Sequence, residues 1–268
     1  MHMIPSSARR RVLIGAGALL LSACGRKGRG VGATDGRASA PPEGPQVTEG
    51  SLLWAVKGPW RTAAERQRDE AVHPLETLSF FGLAPGQTVV EIWPGAGWWT
   101  AIIAPYLKAN AGHEVAATFE TPNPADPAAN SVVADYRKML ADHPDLYSAA
   151  SVTAFGPRSG PLVPKGTADL VLFFHLDHWM AAGLAEKAFH DAFEALKPHG
   201  VLGLVQARAA PGGAQDPLAA NGLVEEAFVR QMAGEAGFSV KAQSAVNARK
   251  PGAVEPDRMT IAFVKGKG

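Results

Sequence analysis

The sequence is poor in whatever would staple, charge or embed a chain. It has one cysteine, Cys24, so no intrachain disulfide framework and no cysteine zinc site can form. Its 26 basic and 25 acidic residues leave a formal net charge of +1, and no long basic stripe follows Lys27. That argues against a nucleic-acid partner. No apolar run reaches the roughly 20 residues that cross a bilayer. No Gly-x-Ser-x-Gly is present, which sets aside the nucleophile elbow of an α/β-hydrolase. No repeat at a period of about 20–50 residues is evident.

What is present is organised around residues 88–105, T-V-V-E-I-W-P-G-A-G-W-W-T-A-I-I-A-P. Val89, Val90 and Ile92 are β-branched and read as a buried strand. Pro94-Gly95-Ala96-Gly97 breaks it, because neither strand nor helix tolerates that run inside itself. Apolar residues at helical spacing follow from Trp99 to Leu107. Strand, glycine turn and helix in that order put Glu91 near the strand's carboxyl end. In an open α/β sheet a ligand docks there, in the crevice outside the strand ends, where the helix amides point.

The amino end reads as an address. Arg9-Arg10-Arg11 precedes an apolar run over residues 12–21 and then Ser22-Ala23-Cys24. The run is too short to span a core of about 30 Å but fits a signal peptide. Leu21-Ser22-Ala23-Cys24 resembles a bacterial lipobox, which implies that Cys24 is lipidated and anchors an exported protein to the cell envelope, on its periplasmic side. Arg9-Arg10 also resembles a twin-arginine signal, and both export routes stay open. The expected organisation is a signal peptide over 1–23, a flexible Gly/Pro/Ser/Ala-rich tether over 24–50, and one folded domain over 51–268.

Within that domain Thr62 and Glu65 have the spacing of a capping box, with a helix running to Ala71. A second helix covers 74–81 and stops at Gly82. Arg66, Arg68, Asp69, His73 and Glu76 are either a solvated face or a lid over the glycine turn. Residues 114–120 read as a second strand. Its last residue, Glu120, follows the turn by the roughly 20 residues at which nucleotide-binding folds place a carboxylate on ribose hydroxyls. Residues 131–140 read as a helix, 152–155 as a short strand, and 169–174 (D-L-V-L-F-F) as a strand buried on both faces. The last of these leads into His175-Leu176-Asp177-His178-Trp179. A helix over 182–196, a turn at Lys197-Pro198-His199-Gly200, a strand over 201–206, a helix over 223–236 and strands at 238–241 and 259–264 complete the chain. The alternation of strand and helix predicts a single doubly wound, mostly parallel sheet covered on both faces.

Three stretches resemble the class I S-adenosylmethionine-dependent methyltransferases. Glu91-Ile92-Trp93-Pro94-Gly95-Ala96-Gly97 resembles their first motif, with Trp93 in place of its first glycine. Asp169-Leu170-Val171-Leu172 resembles their fourth strand, and Leu196-Lys197-Pro198-His199-Gly200 the turn before their fifth. E-I-W-P-G-A-G-W-W-T, with R-D-E-A-V-H-P-L-E-T-L-S-F-F-G-L, is similar to a group of exported bacterial proteins described as predicted methyltransferases. The resemblance implies a seven-stranded sheet and S-adenosylmethionine on the turn, touched by Glu91, Trp93, Gly95, Gly97 and Trp98, with Glu120 on the ribose. It also places His175, Asp177 and His178 towards a small-molecule or lipid acceptor, a histidine serving as base and Asp177 orienting it. Those three could instead form a metal site. Three ligands within four residues rarely face one ion without help from another element, so no metal is expected. A dinucleotide dehydrogenase fits the turn but not the later motifs. The rival of a different class is a lipid-anchored binding or scaffolding protein on the same fold, because the methyl donor is made in the cytoplasm and this chain reads as exported. The sequence leaves oligomeric state and acceptor open.

Overall fold

The computed structural model describes residues 47–122, 127–250, 252–253 and 255–266. The signal segment, Cys24 and nearly all of the tether lie outside them. Three short helices lead in: α1 (Leu52–Val56), α2 (Ala63–Val72) and α3 (Pro74–Phe81). Thr62 caps α2 as its spacing predicts: its hydroxyl accepts from the Glu65 amide at 3.2 Å, and the Glu65 carboxylate accepts from the Thr62 amide at 2.6 Å. Then follow β1 (Thr88–Ile92), α4 (Thr100–Ala109), β2 (His113–Phe119), α5 (Pro127–Asp142), α6 (Pro144–Tyr147), β3 (Ala150–Phe155), β4 (Ala168–Phe173), α7 (Leu176–Ala181), α8 (Ala185–Ala195), β5 (Leu196–Ala207), α9 (Glu226–Glu235), β6 (Phe238–Ser244) and β7 (Arg258–Lys265).

The seven strands form one sheet in the order β3-β2-β1-β4-β5-β7-β6. The four ladders from β3 to β5 are parallel. The two that join β5 to β7 and β7 to β6 are antiparallel, so the sheet expected to be mostly parallel is a mixed one, with its antiparallel ladders confined to this edge. The cause lies between Ser244 and Arg258. No helix is described there, and a chain that returns without a crossover lays its next strand antiparallel. Two further boundaries differ from expectation. Residues 197–200 are not a separate turn but lie within β5, where His199 takes φ +64° and the ladder with β4 slips between Ala168 and Leu170. The segment after β4 forms α7 before the predicted helix begins.

Both faces of the sheet are covered. Val90, Ile92, Val171, Phe173, Leu202 and Leu204 pack with Phe189 of α8 and Val229 of α9. On the other face Val89, Leu170 and Leu172 meet Leu78, Phe81, Ile102 and Leu107. No helix among the described residues is long and apolar enough to cross a membrane. The order reverses direction between β1 and β4. The chain steps outward from β1 to β2 and β3, then jumps back across to β4. Side chains that follow β1 and β4 therefore flank one crevice.

Candidate active site at the switch point of the sheet

The turn after β1 bends through three left-handed residues: Trp93 at φ +58°, Gly95 at +57° and Gly97 at +91°. A non-glycine residue in that conformation costs about 1–2 kcal/mol. Trp93 adopts it at the position of the motif's first glycine, and burial of its ring offsets the strain. The ring is 5% exposed and sits 4.6 Å from Phe119, 5.6 Å from His178 and 6.2 Å from Trp179, centroid to centroid. Its amide continues the ladder to the Ala117 carbonyl at 2.9 Å.

The two glycines are needed for different reasons. A Cβ at Gly97 would lie 2.5 Å from Met139 Cε and 3.1 Å from the Tyr136 ring, so this glycine lets α5 approach. A Cβ at Gly95 would meet nothing within 4 Å. The space above Gly95 is open, as it must be if a ligand is to approach the backbone there.

Beneath the turn lies a polar cluster that anchors it. Thr100, the first residue of α4, donates to Glu91 Oε2 at 2.6 Å and lies 3.2 Å from the Tyr136 hydroxyl. Glu91 and Glu114 are both fully buried and sit diagonally on one face of β1 and β2. Burial raises the pKa of Glu91 and raises that of Glu114 well above the carboxylate range, with the charge of Glu91 adding to it. Glu91 Oε1 and both Glu114 oxygens have no other hydrogen-bond partner among the described residues. Two adjacent carboxylates have no proton between them. One proton on Glu114 turns the repulsion into a hydrogen bond to Glu91. Glu91 thus supports the turn from below through Thr100, and its full burial keeps it from touching a ligand directly.

Trp98 and Trp99 tie the turn to its neighbours. Trp98 Nε1 donates to the Glu65 carbonyl at 3.1 Å, and the guanidinium groups of Arg61 and Arg68 lie 4.9 Å and 5.1 Å from its ring centre. The charged face of α2 is therefore docked beside the turn. Trp99 stacks on Phe174 at 3.9 Å and 9°. Glu120 follows β2 and is exposed; its carboxylate lies against Gly156 at the end of β3, where a Cβ would be 2.2 Å from Oε2. It leans to the side of β2 away from the glycine turn.

His175, Asp177 and His178 follow β4 and converge. One ligand-type atom from each lies within 4.8 Å of the other two, a closer gathering than their spacing suggested. His178 Nδ1 is 3.3 Å from Asp177 Oδ2. Burial, then the neighbouring His178, brings the His175 pKa down to about 4; Arg68 and Arg258 push the same way, and Asp177 opposes them. Burial works against ionising Asp177, but the hydrogen bond from His178 and the charges of both histidines hold its pKa below the ordinary value. His175 is thus an uncharged imidazole at neutral pH and a weak base. What this segment can do best is hydrogen-bond and position an acceptor. Arg68 was legible only as one member of the charged face of α2, and Arg258 and the placing of Glu114 and Tyr136 beside Thr100 carried no sequence signal of their own, since each gains its meaning from a partner far along the chain.

No protein-family model matches the chain, and no curated protein matches it. Solved structures do. A SAM-dependent methyltransferase from Aquifex aeolicus is 16% identical, with 74% of this chain and 92% of that one covered at a TM-score of 0.55. The cyclase SpnF is 15% identical, with 81% and 92% covered at 0.58. A SAM-dependent methyltransferase from Methanosarcina mazei is 12% identical, with 71% and 98% covered at 0.52. At such identities the likeness is one of fold: residues 88–265 form the α/β, Rossmann-like seven-stranded fold of S-adenosylmethionine-dependent methyltransferases.

Proposed function

We propose that the chain binds S-adenosylmethionine over the Gly95 turn and transfers its methyl group to a small-molecule or lipid acceptor. The observation that carries this reading is the open space above Gly95, at the switch point between β1 and β4. Bound there, the donor supplies a sulfonium-activated methyl with its own leaving group. The chain has only to hold, orient and desolvate. Gly95, Gly97 and the α4 amides would cradle the donor, with Trp93 and Trp98 as its apolar walls. Glu120 would meet its ribose after rotating off Gly156. His175, Asp177 and His178 would face the acceptor. We further propose that Cys24 is lipidated and holds the protein at the periplasmic side of the envelope.

Two experiments test this. A Leu at position 95 projects into open space, so Gly95→Leu should weaken S-adenosylhomocysteine binding about tenfold or more, at a strain cost of about 1–2 kcal/mol. Quenching of Trp98 and Trp99 fluorescence reads the binding, and circular dichroism confirms the fold. Equal affinity in the variant would place the site elsewhere. Cys24→Ala should move the protein from the membrane fraction to the soluble one, and unchanged fractionation would remove the anchor.

A binding protein without catalysis is the second reading. The Trp93 ring favours it, since it stands in place of the motif's first glycine and packs on Phe119 and Trp179. SpnF, named as a cyclase, shows the fold under another chemistry.

A further inference from the structure

Over the ends of β4 and β5 lies a cavity of about 140 Å³. One wall is apolar, made by the stacked pair Trp99 and Phe174. Arg68 of α2 and Arg258 at the start of β7 also line it. Among the described residues Arg68 makes a contact with the Trp98 ring but no hydrogen bond or ion pair. Arg258 gives Nη2 to Glu255 at 3.2 Å, and its buried Nη1 has no hydrogen-bond partner. Partial burial of its side chain, with the charge of Arg258, lowers the pKa of Arg68, and Glu255 offsets this only in part. Asp177, the one acid in the lining, is turned to His178. The two guanidinium groups thus repel each other, a repulsion Glu255 offsets only in part, and neither Arg68 nor the Nη1 of Arg258 is paired with an acid among the described residues.

We propose that this cavity is the acceptor pocket and takes a flat organic anion, a single ring bearing a carboxylate, clamped between Arg68 and Arg258. Size fits, since a cavity of about 150 Å³ holds a benzene ring. The apolar wall fits, because the Trp99–Phe174 pair offers aromatic contact to a ring. Charge fits, because guanidinium groups pair with carboxylates through parallel N–H donors. The same positive potential disfavours a cation at His175, Asp177 and His178 despite their convergence. The assignment rests on the methyltransferase reading for the word acceptor, but the anion site stands on the cavity itself.

The test is calorimetry on the full-length protein without methyl donor, with 4-hydroxybenzoate and phenol as probes. The expected result is at least tenfold tighter binding of 4-hydroxybenzoate. Arg68→Gln and Arg258→Gln should each remove that preference and leave S-adenosylhomocysteine affinity unchanged. Arg68 sits on an exposed helix position, so its variant keeps the test alive should Arg258→Gln not fold. Equal affinity for phenol, no binding of 4-hydroxybenzoate, or variants that keep the preference would overturn the proposal. So would variants that lose S-adenosylhomocysteine instead, since the carboxylate would then be the donor's. A wild type that binds 4-hydroxybenzoate but not S-adenosylhomocysteine would defeat the methyl-transfer reading and leave the anion site standing.

Discussion

Trp93 holds a backbone conformation that suits glycine and a ring that the core requires. The two demands can be separated by substitution. Trp93→Ala loses the ring and keeps the strain, whereas Trp93→Gly loses the ring and relieves it. Chemical denaturation should find the glycine variant the more stable of the two by about 1 kcal/mol. The reverse order would mean that the left-handed conformation carries no strain. Glu114 gives a second test. Both buried carboxyls bind their protons more tightly in the folded chain than in the unfolded one, because their pKa values are raised. The folded state therefore gains stability as pH falls towards the ordinary carboxylate range and loses it as pH rises through the folded values. Glu114→Gln keeps a hydrogen-bond donor beside Glu91 without the charge. Its Tm should fall less than the wild type's between about pH 5 and about pH 8. Parallel curves would mean that the pair shares no proton.

Among the elements, α2 does the most to frame the site. Its anchor is Arg61, whose side chain is fully buried and reaches Asp69 with both terminal nitrogens, at 2.7 Å and 2.9 Å, and the Val56 carbonyl at 2.6 Å. Asp69→Ala leaves that guanidinium buried without its partner. It should cost about 3–5 kcal/mol in unfolding experiments and shift the emission of Trp98, which α2 covers. A loss under 1 kcal/mol would show that α2 is held by other contacts. The helix itself was legible because its signal is local: Thr62 and Glu65 are three residues apart and cap one turn. The docking of α2 on Trp98 was legible only as one of two possibilities, since no local rule tells a solvated charged face from a lid. The direction of β7 had a readable cause in the lack of a helix before it, but alternation of strands and helices masks that cue. The extent of β5 was harder, because Pro198 and Gly200 spell a turn and yet the strand carries them through an irregularity.

At the scale of the molecule, topology joins what the chain separates. The glycine turn and the segment after β4 could both be placed at strand ends from sequence, because each follows a clear apolar run. The crevice between them follows from the strand order. Arg258 could not be placed, since it reaches the crevice only because β7 inserts between β5 and β6. Glu120 was singled out by its spacing, yet spacing does not set a rotamer, and its carboxylate rests on Gly156. Glu91 was found by its motif, but its burial under Thr100 makes it a support of the turn. The central claim is that the crevice over Gly95 seats a sulfonium nucleoside. Titration calorimetry of S-adenosylhomocysteine into the full-length protein tests it most directly. The account predicts saturable heat at one ligand per chain, unaffected by excess ATP or NAD. No heat at millimolar ligand, or displacement by either nucleotide, would contradict it.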